Sequence, residues 1–104
     1  MKYYYPAIFS PKGSGLEGYT LEFPDIPGCL TMGDDINDCM WMAQDALGLM
    51  LEDYEVYPEP SNILDIDLSK YDCPEGSFVS YVCFDKEEYD ATKNKNADEV
   101  KTAG

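Results

Sequence analysis

The segment Phe23-Pro24-Asp25-Ile26-Pro27-Gly28-Cys29 constrains this chain more than any other. Each proline fixes its own φ and drives the residue before it into an extended conformation, so the backbone around Asp25 is stiff. Gly28 and Gly33 permit turns on either side of a short strand over residues 29–32. Asp34 and Asp35 then stand where a helix needs a cap. One window therefore encodes strand, tight corner, strand and capped helix.

The rest of the chain supplies matching pieces. Residues 3–9 are aromatic and β-prone, with Tyr3, Tyr5, Ala7 and Phe9 on one face and Tyr4, Pro6 and Ile8 on the other. Pro6 points to an edge position or a bulge. Residues 10–18 hold Pro11 and three glycines and read as a hairpin loop. Tyr19, Leu21 and Phe23 alternate with Thr20 and Glu22, giving a half-buried strand. These segments form an antiparallel meander.

Residues 35–54 carry the main helix, with Asp35 as N-cap and Asp38 in capping-box position. Ile36, Cys39, Met40, Ala43, Ala46, Leu47, Met50, Leu51 and Tyr54 recur at three-four spacing and should face the sheet. Trp41 falls off that stripe, with Asp45 and Gly48 along the same flank. The indole either covers a neighbouring loop or meets a partner or a second copy. Gly48 would admit a close approach there.

Prolines 58 and 60 mark a loop, and residues 63–68 read as a short strand or an extended connector. Residues 78–84 are a near-continuous apolar run suited to an inner strand. Asp85 caps a short helix over residues 86–92, followed by a polar tail.

Charge narrows the function classes. The chain has 104 residues, 21 carboxylates and a formal charge of −14. Its seven cations are all lysine, with no arginine and no histidine. Between Gly13 and Ser69 there are thirteen carboxylates and no positive charge. Such a surface repels phosphate and attracts a basic partner, which argues against gripping nucleic acid through this domain. Without histidine, Ser-His and Cys-His nucleophiles are excluded. The four cysteines form no Cys-x-x-Cys pair and read as reduced, buried apolar groups. No apolar run reaches the ~20 residues that span a membrane, and the N-terminus has no apolar signal core, so a cytoplasmic protein is expected.

The corner motif, followed by Leu30-Thr31-Met32-Gly33-Asp34 and an Ala/Leu-rich helix, resembles the signature of the HicB antitoxin family. Similar segments extend from Tyr5-Pro6-Ala7-Ile8-Phe9 through Gly18 to Asp25, Ala43, Asp45-Ala46-Leu47, Pro58-Glu59-Pro60-Ser61 and Gly76-Ser77-Phe78-Val79. The resemblance implies an α+β fold: a three-stranded antiparallel meander, one long helix packed on it, a further strand and a short C-terminal helix, in a partial RNase H-like arrangement. It implies a domain over residues 1–91 that neutralises HicA, a small basic mRNA-cleaving toxin, by binding. Relatives usually add a C-terminal DNA-binding module. The thirteen residues after Ala91 hold no arginine and are too few for one, so residues 92–104 are expected to be a disordered tail.

Glu22, Asp25, Asp34 and Asp35 are the expected toxin footprint. Trp41, Asp45 and Gly48 are the expected oligomer or partner contact, and a homo-oligomer is expected. No catalytic residue, metal or cofactor is assigned. Two other readings stand beside this one. In the first, the same four carboxylates hold metal in a divergent RNase H-like nuclease. In the second, an orphan phage or mobile-element adaptor only self-associates.

Overall fold

A computed structural model describes residues 1–92. Four antiparallel strands form one sheet: β1 (Lys2–Pro11), β2 (Tyr19–Glu22), β3 (Leu30–Gly33) and β4 (Phe78–Asp85), in the order β3-β2-β1-β4. A single long helix, α1 (Ile36–Leu51), lies on one face, and residues 86–92 are helical as well. The expected α+β architecture is present.

Alternation sets the two faces. Tyr5, Ala7 and Phe9 of β1, Leu21 of β2, and Val82 and Phe84 of β4 point to the helix side and are buried. They meet Cys39, Ala43, Leu47 and Leu51 of α1, so the three-four stripe and the period-two stripe close on each other. Ile36, expected on that stripe, is instead exposed. Helix α1 starts where its cap requires: the Asp38 N–H donates to the Asp35 carboxylate at 2.7 Å, and the Asp34 N–H donates to the Asp38 carboxylate at 2.9 Å. Asp85 caps the second helix by accepting from the N–H groups of Glu87 and Glu88.

Three expectations need correction. The apolar run of β4 is an edge strand and not an inner one: it pairs only with β1, from Lys2↔Asp85 to Phe9↔Phe78. Val82 and Phe84 are buried on its helix side, Phe78 and Tyr81 are partly exposed, and no strand lies along its outer rim. β1 is the inner strand despite Pro6. Strand β2 pairs only with residues 8–11, so at Pro6 one flank of β1 has no strand neighbour and a ring without an N–H fits there. Residues 63–68 are not a strand: two 3₁₀ turns, Ile63–Asp65 and Leu68–Lys70, carry the connection across the second face of the sheet, where Pro6 and Ile8 are buried. The tail beyond residue 92 lies outside the described residues.

Cys29 and Cys39 are buried as reduced thiols, whereas Cys73 and Cys83 are only half-buried.

Candidate partner-binding surface

The carboxylates singled out from the sequence part into two kinds. Asp25 is held from within the chain: the Ser61 N–H donates to one of its oxygens at 2.8 Å, and the Ser61 hydroxyl to the other at 2.6 Å. The corner itself is closed by successive turns, with the Ile26 N–H donating to Phe23 O at 3.1 Å and the Cys29 N–H to Ile26 O at 3.0 Å. Gly28 adopts φ +85° to complete it, a conformation that side chains disfavour. Phe23, Ile26 and Cys29 drop from this corner into the core. Asp35 is likewise spent as a helix cap.

Asp34 and Glu22 face solvent. Asp34 pairs with Lys12 at 3.0 Å, and its own side chain remains largely exposed. Glu22 lies on the second face opposite Leu30, at the other end of the β2–β3 ladder from Asp34. The four carboxylates are therefore not gathered into one acidic edge. Among the described residues no group of three or more His, Cys, Asp or Glu side chains could hold a metal ion.

The flank marked by Trp41 is more organised. A groove of about 560 Å³ opens between α1, the end of β4 and the second helix. Met40, Trp41, Cys83 and Tyr89 give it an apolar lining, and Asp45 and Glu88 stand among the residues around it, with Lys2 also present. Trp41 is 61% exposed. Gly48 is buried and already filled by the chain itself: a Cβ at this position would collide with the Tyr89 ring. That ring packs on Phe84 with centroids 5.6 Å apart. Thus Trp41 and Asp45 face the groove, while Gly48 seats the second helix beneath it.

Gln44, a residue the periodicity did not single out, fixes the adjoining strand rim. Its amide N–H donates to Cys83 O, and its Oε1 accepts from the Asp85 N–H at 3.4 Å. Tyr89 and Gln44 were both legible only as a ring and an amide beside an apolar stripe, which says nothing of their partners.

Burial governs the perturbed ionisable groups. The Cys29 thiol is pushed up to about 11 by desolvation. The Tyr5 phenol rises to about 12, chiefly through burial, with Tyr3 and Asp25 adding to it. Its hydroxyl donates to Pro58 O at 2.7 Å, close to the loop that Asp25 holds. Cys39 is raised by burial as well. Lys12 pulls the Cys39 thiol the other way, but burial outweighs it, so neither cysteine gains thiolate character.

Fold and surface together define a small acidic α+β domain with a rigid, half-apolar groove. Residues 5–96 match the family described as HicB-like antitoxin of bacterial toxin-antitoxin system. The chain belongs to that family. It is 39% identical over 61 residues to Antitoxin HicB of Escherichia coli K12, covering 55% of this chain and 43% of that protein. An uncharacterised 14.9 kDa protein of Haemophilus phage HP1 is 37% identical over 51 residues, covering 45% of this chain and 38% of that one. The chain thus spans less than half the length of the curated relatives it matches. Among solved structures, a toxin-antitoxin complex from Streptococcus pneumoniae matches with TM-score 0.65 at 30% identity, over 86% of this chain and 73% of the other. The HicA3 and HicB3 toxin-antitoxin complex matches with TM-score 0.55 at 28% identity, over 82% of this chain and 99% of the other.

Proposed function

We propose that this chain neutralises a small, basic HicA-type mRNA-cleaving toxin by binding it, without catalysis of its own. The observation that carries this reading is the family match across residues 5–96, on a fold also found in toxin-antitoxin complexes. Charge supports it. A domain at −14 can cover a surface that otherwise meets RNA, and complementary charge speeds association and sets orientation. The same charge disfavours contact between this domain and nucleic acid.

Within the expected footprint, Glu22 and Asp34 have solvent-facing carboxylates, whereas Asp25 and Asp35 act by holding the fold. The chain works in the cytoplasm, where its toxin cuts mRNA. No described helix is long and apolar enough to cross a membrane. It assembles as a homo-oligomer.

The test is co-expression with the small basic open reading frame beside its gene, followed by co-purification and a growth assay. Stable co-elution with rescue of growth is expected. A toxic neighbour that neither co-elutes nor is relieved would sink the assignment.

A further inference from the structure

We propose that the groove beside Trp41 is a slot for an arginine side chain on the surface of a basic protein partner. The inference deepens the antitoxin reading and, in naming the toxin as that partner, rests on it.

The walls have the required chemistry. Trp41 and Tyr89 offer aromatic surface, which attracts a guanidinium through its π face, and arginine also stacks flat on such rings. Met40 and Cys83 give a soft apolar lining for the methylene stem. Asp45 and Glu88 supply carboxylates, the natural acceptors of a planar fork of N–H donors.

Among the described residues the ion pairs are Met1 amine–Glu87, Lys12–Asp34 and Lys86–Asp90, and neither Asp45 nor Glu88 takes part. Lys2 contributes the only cation among the described residues of the lining.

The slot is also built in advance. Tyr89 is locked between Gly48 and Phe84, and Gln44 ties α1 to the β4 rim at Cys83 and Asp85. A preformed site spends little entropy on ordering its walls when it binds. Met42 and Leu49 of α1 are exposed as well, outside the groove lining.

A second copy of the chain is the wrong occupant. It carries no arginine, and a two-fold contact through this flank would set Asp45 and Glu88 against their own counterparts on chains of charge −14. A basic protein has the opposite charge and the missing side chain.

The chain contains one tryptophan, so 5-fluorotryptophan labelling places a single ¹⁹F signal at the slot. Two probes are used: the catalytically disabled toxin encoded beside the gene, and a short helical alanine-arginine peptide with a citrulline-substituted control. The ¹⁹F signal is expected to move with toxin and with the arginine peptide, but not with the citrulline peptide. Trp41→Ala should weaken toxin binding at least tenfold. The double variant Asp45→Asn/Glu88→Gln should slow association severalfold and flatten its salt dependence.

If the toxin binds while the signal stays still and both variants bind normally, the slot is overturned and the antitoxin reading stands. If the toxin does not bind but the arginine peptide moves the signal, the slot stands and the toxin is the wrong partner. A signal that moves with the chain's own concentration, together with a lower assembly mass for Trp41→Ala, would overturn the proposal in favour of self-association.

Discussion

Two regions of this molecule carry aspartate beside apolar side chains, and they use them in opposite ways. At the Pro24–Gly28 corner, Asp25 turns inward and takes two hydrogen bonds from Ser61, while Phe23 and Ile26 fill the core. On the α1 flank, Asp45 stands without an ion pair among the described residues, beside a tryptophan that the chain leaves largely in water. The corner is a device for folding, and the flank is where we propose that a partner docks. The densest sequence motif is spent largely on the fold. Its residues are consumed in building the platform.

That contrast can be broken by mutation. The largest effect is expected for Ile26→Ala, which empties a fully buried site at the corner and should cost ~2–5 kcal/mol in chemical denaturation. Asp25→Ala removes a charged acceptor of two hydrogen bonds and should cost ~2 kcal/mol, with the loop at Pro58–Ser61 losing protection in hydrogen exchange. Gly48→Ala drives a methyl into the Tyr89 ring and should cost ~1–3 kcal/mol, read as early melting of residues 86–92. At the other extreme, Trp41→Ala should change stability by no more than ~0.5 kcal/mol while weakening partner binding. A Trp41 variant as unstable as Ile26→Ala would erase the distinction between the two regions.

Alkaline titration sharpens the same point. Tyr5 and Cys29 both belong to the corner's surroundings, and both hold their protons longer folded than unfolded. A raised acid pKa means the unfolded chain loses its proton first, so stability is intact below the ordinary pKa and falls as pH rises. The decline should begin near pH 9 with Cys29 and continue towards about 12 with Tyr5. Tyr5→Phe should flatten the upper part of that decline in pH-dependent melting. An unchanged slope would mean that Tyr5 does not hold its proton as described.

Much of the fold was legible because its signals are local. The Asp35 cap, the three-four stripe of α1 and the alternation in β1 and β2 each need only a few neighbouring residues. The rank of β4 in the sheet was not legible. An apolar run reports cover on the two faces of a strand, and says nothing of whether a neighbour lies along its rim. Pro6 misled for the complementary reason, since an inner strand longer than its partner has locally open flanks. The site was harder still. The types of Glu22, Asp25, Asp34 and Asp35 were plain, but Asp25 is matched to Ser61 across 36 positions of sequence, a distance that periodicity cannot bridge. Gly48 was read as a place of close approach for a partner or a second copy, but the ring that fills it belongs to the chain's own second helix.

The Gln44 amide has a further consequence. Its carboxamide imitates one step of a neighbouring strand, offering donor and acceptor to the rim of β4 at Cys83 and Asp85. A foreign strand zipping along that eight-residue rim meets a counterfeit rung it must first evict. At the far side of the sheet, β3 is only four residues long, too short to template much. A sheet blocked at one rim and stunted at the other is a poor seed for fibrils.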